Sequence, residues 1–179
     1  SDDFSDDGSG WDVYEDTDGS VGYSAGSYRI YVASSDFLFW GNPYQSLQID
    51  VRVAVDATKA SGPDDNELGL ICRYTDESNY YMFAISSDGF AAITMYLDDE
   101  FFLVSGETGI QTDAIHQGAA TNHIEATCIG SSLALYVNDS LVVTATDASH
   151  TSGDVGLYAG SFDSGGVEIL FDNFVVSKP

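Results

Sequence analysis

The chain has 179 residues, enough for one domain with a full hydrophobic core and too few for two β-sandwiches. Apolar residues make up 44% and aromatic residues 13%, which excludes a disordered acidic tail. Twenty-nine acidic side chains against five Lys and Arg give a formal net charge of -24, which excludes nucleic acid and anionic membrane surfaces as partners and favours cations.

From the N-terminus, Ser1-Asp2-Asp3 is already acidic, and no apolar run approaches the roughly 18 residues of a membrane span, so the chain reads as a mature secreted product or an excised domain. β-Branched and aromatic runs predict strands over residues 28–32, 47–55, 67–74, 80–86, 91–97, 101–105, 123–129, 133–137, 141–146, 155–160 and 167–177. Turn residues separate them: Ser87-Asp88-Gly89, Asp98-Asp99-Glu100, Gly130-Ser131-Ser132, Asn138-Asp139 and Ser164-Gly165-Gly166. Tight turns imply antiparallel neighbours, and the pattern predicts an all-β, two-sheet antiparallel sandwich. Residues 56–66 and 106–121 read as longer irregular stretches, the second with room for a short helical turn at Asp113–His116. Asn138-Asp139-Ser140 has the form of a glycosylation acceptor, but its place between two alternating runs makes it a hairpin turn.

Strand parity sorts the faces. Tyr81, Phe83 and Ile85 form a core face opposite Tyr80, Met82 and Ala84, and Leu133, Leu135 and Val137 form one opposite Ala134 and Tyr136. Cys72 shares its parity with Leu68 and Leu70, and Cys128 shares its own with Ile124 and Ala126, so the two cysteines can meet inside. A bridge closing that loop would stabilise a secreted domain by about 4 kcal/mol on the chain-entropy model. The alternative is two buried thiols.

Motifs for catalysis are missing. No Glu-x-Asp-x-x-Glu stretch, Gly-x-Ser-x-Gly elbow, phosphate loop or His-Glu-x-x-His helix occurs, and His116, His123 and His150 are scattered. Asp98-Asp99-Glu100 belongs to a turn, where consecutive carboxylates splay into water. Arg73, Tyr80, Tyr96, Tyr136 and Tyr158 lie opposite the core parity of their strands and can share one solvent-facing sheet face, suited to stacking on a sugar and orienting it. The competing arrangement pairs Arg73 with Glu125 or another acid and leaves the tyrosines as ordinary surface.

Several segments in this order resemble concanavalin A-like (LamG-like) jelly-roll domains of bacterial extracellular and cell-surface proteins. They are Asp3-Phe4-Ser5-Asp6 with Trp11, Cys72-Arg73-Tyr74, Asn79-Tyr80-Tyr81, Leu133-Ala134-Leu135-Tyr136-Val137-Asn138, Gly153-Asp154-Val155-Gly156-Leu157 and Phe171-Asp172-Asn173-Phe174. The resemblance covers nearly the whole chain and implies two stacked sheets with a concave face; relatives include lectins, glucanases and 3-keto-disaccharide hydrolase-like domains. It also implies a calcium clasp, because similar carbohydrate modules join an acidic N-terminal segment to an Asp on the last strand through one Ca2+. Asp3, Asp6, Asp7 and Asp172 are the candidates here. Asp3-x-Ser5-x-Asp7-Gly8 begins like a calcium loop, but Tyr14 stands where an EF-hand has its bidentate Glu. Asp172 shares parity with Leu170, Phe174 and Val176, which requires either a cation or backbone donors around it.

Three functions stand as expectations. The first is a non-catalytic, calcium-stabilised module that binds a glycan or cell-surface polymer outside the cell. The second is a structural subunit of a fibre, sheath or surface layer that self-associates through edge strands. The third is a glycan-processing hydrolase of the same fold.

Overall fold

Short β-branched and aromatic runs cut by turn residues give strands from end to end. The computed structural model describes residues 1–44 and 49–179. In chain order the first strands are β1 (Tyr14–Glu15), β2 (Gly19–Ser24), β3 (Ser27–Val32), β4 (Leu38–Gly41) and β5 (Val51–Ser61). Next come β6 (Asn66–Asp76), β7 (Asn79–Ile85), β8 (Phe90–Leu97), β9 (Glu100–Leu103) and β10 (Ile110–Gln111). The last are β11 (Thr121–Ile129), β12 (Ser132–Val137), β13 (Ser140–Thr146), β14 (Asp154–Ser161) and β15 (Val167–Ser177).

Pairing is antiparallel and divides the strands between two sheets. An eight-stranded sheet runs β1-β2-β3-β15-β5-β11-β12-β13, and a seven-stranded sheet runs β10-β8-β7-β6-β14-β4 with β9 also on β8. The sheets stack through the parity faces expected from sequence. Tyr81, Phe83 and Ile85 of β7 and Leu133, Leu135 and Val137 of β12 are all buried in one core, which Val51, Val53 and Val55 of β5 also join. Cys72 on β6 and Cys128 on β11 are bonded across that core, tying one sheet to the other. The two-residue turns at Asp98-Asp99 (φ 52° and 68°) and Asn138-Asp139 (φ 49° and 66°) have the left-handed pair that a tight hairpin requires, and short Asn and Asp side chains tolerate it. Asn138 donates from Nδ2 to the carbonyl of Ala114 and to Asn122 Oδ1, both at 2.8 Å, which fixes this turn against the preceding loop.

The strand map departs from expectation in several places. β5 continues to Ser61, so the irregular stretch expected over residues 56–66 shrinks to residues 62–65; the Lys59 ammonium, bonded to Asp64 and to the Gly62 carbonyl, closes it. β1, β2, β4 and β10 were not expected, because Gly19-Ser20-Val21-Gly22 carries a loop's composition and the other three are too short to show a period. Asp113–His116 forms a turn, and the described residues contain no helix. Leu47 and Gln48, the expected start of the strand over 47–55, lie outside the described residues.

Two of the β-bulges bear on residues singled out from sequence. One falls between Cys72 and Asp76, with Arg73 at φ 56°, and the other between Asp172 and Val175, with Asn173 at φ 55°. An extra residue reverses inside and outside along the strand. Asp172 therefore faces outward with Leu170, while Phe174, beyond the bulge, is buried; the expected shared parity of Asp172 with Phe174 does not hold.

Candidate functional site

The face of the seven-stranded sheet turned away from the core is also largely covered. Ile71, Tyr80, Met82, Ala84 and Tyr158 form a second buried cluster there, with Leu38, Trp40, Tyr74, Ala92 and Tyr96 packed against it. Register explains the relief of this surface. Trp40, Tyr158, Gly69, Ala84 and Ala92 stand in one row across five strands. Large rings on β4 and β14 thus meet a floor of small residues on β6, β7 and β8. Gly69 is needed where it stands: a Cβ there would lie 1.9 Å from the Phe83 carbonyl oxygen and 3.4 Å from the Tyr158 ring.

A groove of about 540 Å³ runs along this floor, within the usual range for a small-ligand site. Ala84, Ala92 and Thr94 line its base, Phe101 and Leu103 of β9 form one wall, and Phe90 and Phe162 flank it. Next to it, rings follow one another along the sheet, Phe101 edge-on to Tyr96 at 5.6 Å, Tyr96 tilted on Tyr80 at 5.3 Å and Tyr80 tilted on Tyr74 at 5.5 Å, with Trp40 6.5 Å from Tyr80.

Glu67 is the polar centre of the groove. Lying at the start of β6 on the parity of Gly69 and Ile71, it sits opposite Gly160, which leaves space for its side chain. No hydrogen-bond donor or cation among the described residues reaches its carboxylate. Burial pushes the carboxyl up to about 7, the direction expected for an acid that loses water and gains no donor. Burial raises the phenols of Tyr80, Tyr96 and Tyr158, and the charge of Glu67 adds to the rise in each. Thr94 Oγ1 and Tyr158 Oη are buried and also lack a hydrogen-bond partner among the described residues. Buried polar atoms are nearly always paired, so these two groups, on the same face as the partly exposed Glu67, mark a place prepared for a polar ligand. Asp65 and Asp88 lie at the rim.

Of the residues singled out from sequence, Tyr80, Tyr96 and Tyr158 come together here, although Tyr80 and Tyr158 are 2% and 0% exposed and so are not the open stacking platform expected. Arg73 does not join them. The bulge turns it inward, where Nη1 donates to the His150 carbonyl at 2.8 Å and Nη2 and Nε donate to the Ile49 carbonyl at 3.0 and 3.2 Å; Asp50, not Glu125, is its acidic neighbour, at 3.7 Å. Glu125 pairs instead with Arg52 at 3.5 Å. Tyr136 belongs to the other sheet, in a small polar depression with Arg52, His123, Glu125 and Asp139. Glu67, Thr94, Trp40 and Phe101 were not singled out. Parity alone carried a signal for Glu67, which shares its face with Gly69 and Ile71.

The four candidate calcium ligands do not converge. Asp3 accepts from the Ser5 amide and hydroxyl at 3.1 and 2.6 Å, Asp6 accepts from the Gly8 amide at 2.9 Å, Asp7 is exposed, and Asp172 accepts from the Asn173 amide at 2.7 Å. Among the described residues no group of three or more His, Cys, Asp or Glu side chains is placed to hold a metal ion. The N-terminus nevertheless reaches the last strand, through reciprocal main-chain hydrogen bonds between Asp2 and Phe174, both at 2.8 Å.

No family model matches the sequence, and no curated protein matches it either. Solved structures share its fold. The carbohydrate-binding module CBM66 from Bacillus subtilis superposes with a TM-score of 0.62 at 18% identity, over 94% of this chain and 96% of that one. Sheep galectin-11 gives 0.54 at 13% identity, over 80% of this chain and 98% of that one. The xylan β-1,4-xylosidase from Bacillus halodurans C-125 gives 0.71 at 14% identity, over 99% of this chain but only 38% of that one. At these identities the likeness establishes the fold alone, a two-sheet antiparallel β-sandwich.

Proposed function

We propose that this chain is a carbohydrate-binding domain of an extracellular protein, of the concanavalin A-like type, that holds a glycan in the groove beside Glu67 and catalyses no reaction. The observation that carries the reading is the groove itself: an apolar floor walled by Phe101 and Leu103, with the unpartnered Thr94 hydroxyl and Glu67 carboxyl inside it. Apolar sugar faces pack on aromatic and aliphatic walls while a few fixed polar groups orient the hydroxyls. Similarity to a carbohydrate-binding module and a galectin supports the ligand class. The Cys72–Cys128 bond supports the compartment, since such bonds persist in oxidising surroundings.

Affinity electrophoresis and titration calorimetry against a panel of plant, fungal and bacterial oligosaccharides test this. At least one oligosaccharide is expected to bind, and Phe101→Ala and Thr94→Val are each expected to weaken it by about fivefold or more, on the order of 1 kcal/mol, without unfolding the protein. Binding that survives both changes unaltered, or no binding to any saccharide, would overturn the proposal.

A further inference from the structure

We infer that the groove selects a sugar carrying a protonated amino group, a glucosamine-type residue, with Glu67 as its counter-ion; the inference rests on the carbohydrate-binding reading above. Charge is the first argument. The carboxylates of Asp65, Glu67 and Asp88 line the groove, whereas no Lys, Arg or His among the described residues does. The cations of the chain are committed elsewhere: Arg29 to Glu168, Arg52 to Glu125, Lys59 to Asp64 and Arg73 to backbone carbonyls beside Asp50, while Lys178 lies just past the end of β15. A uronic acid or sulfated sugar would meet only repulsion there.

Geometry is the second argument. An acid drawn out of water is stable as an ion only when a cation or several donors reach it, and the described residues supply neither to Glu67. Asp65 and Asp88 share the groove lining with Glu67, so an ammonium group entering from the groove would meet carboxylates. Independently of the acids, Thr94 presents a hydroxyl oxygen with no partner from a residue only 5% exposed at the groove base. That oxygen is placed to accept from an ammonium or a neighbouring hydroxyl.

Three oligosaccharides with one β-1,4 backbone isolate the claim, because they differ at a single carbon: the hexamers of glucosamine, N-acetylglucosamine and glucose. In calorimetry at 150 mM NaCl, and at a pH that keeps the amine protonated, the glucosamine hexamer is expected to displace the proton that Glu67 holds in the free protein and to bind at least about tenfold tighter than the other two. Glu67→Gln is expected to erase that preference. The variant removes one of 29 acidic side chains, so diffuse attraction of a polycation to the surface would survive it. Equal affinity for all three hexamers, or a preference unchanged in Glu67→Gln, overturns the inference and leaves the carbohydrate-binding reading standing. Failure of every saccharide to bind overturns both.

Discussion

Glu67 and Gly160 face each other across the β6–β14 ladder, and the carboxyl occupies the space that a side chain at 160 would take: a Cβ there would lie 2.7 Å from Glu67 Cγ and 2.8 Å from its Oε1. The neighbour that must yield is a flexible side chain rather than backbone, so Gly160→Ala is expected to fold with a loss of about 1 kcal/mol or less. The displaced carboxyl should cost about tenfold in glycan affinity, equivalent to ~1.4 kcal/mol. Calorimetry alongside thermal melts measures both. Unchanged affinity would remove Glu67 from the binding site.

The same carboxyl makes stability depend on pH. Folded Glu67 holds its proton up to about pH 7, whereas its ordinary value is 4.5. Between these values the folded state binds more protons than the unfolded state, so stability falls as pH rises. The contribution is fully present below about pH 4.5 and gone above about pH 7, and amounts to on the order of 2 kcal/mol after allowance for the partial exposure of the side chain. Urea denaturation of the wild type and Glu67→Gln at pH 4.5 and pH 8 isolates it, since the self-repulsion of the other acids is common to both proteins. Glu67→Gln should be relatively more stable at pH 8. Parallel profiles would show that the groove does not hold the carboxyl neutral.

Much of the fold was legible in the sequence because period-2 alternation carries it wherever strands are regular. Residues 81, 83 and 85, and 133, 135 and 137, face the core as their parity requires. Legibility failed at the bulges, which have no compositional signature here. Arg73 and Asn173 adopt left-handed backbone without being glycine, and each reverses the parity of the strand residues beyond it. Arg73 is consequently a buried clamp on the carbonyls of Ile49 and His150 rather than a sugar-facing fork. The groove was harder to read for a different reason. Its floor is made by small residues from three strands, and its wall by Phe101 on a four-residue strand, so no local segment contains it.

Asp2 supplies the connection between the chain's two ends that the sequence had suggested for calcium. Its Oδ1 accepts from the Phe4 amide at 2.8 Å and its Oδ2 from Trp11 Nε1 at 3.0 Å, while its main chain pairs with Phe174. Phe4 and Phe174 pack against Trp11 at ring distances of 5.3 and 4.8 Å. Asp2→Ala orphans an indole N–H and an amide, and is expected to cost about 1–3 kcal/mol in urea denaturation. Calcium and sodium salts at equal ionic strength are expected to raise the wild-type melting temperature alike, by screening the net charge of -24. A rise specific to calcium and abolished by chelator would instead place an ion in the clasp.

Cys72 and Cys128 join the middle of β6 to the end of β11, and neither is exposed to solvent. The bond closes a loop of 56 positions, worth about 4 kcal/mol on the chain-entropy model. Cys72→Ala with Cys128→Ala loses this and the packing of two sulfurs, so its urea midpoint should fall by roughly 2 M, taking a slope near 2 kcal/mol/M. Burial adds a kinetic expectation. A reductant cannot reach the sulfurs until the sheets part, so under native conditions reduction should follow the small population of the opened protein, and it should accelerate sharply within the urea transition. Rapid reduction of the folded protein, or an unshifted midpoint in the double variant, would show that the core between the sheets holds without its covalent tie.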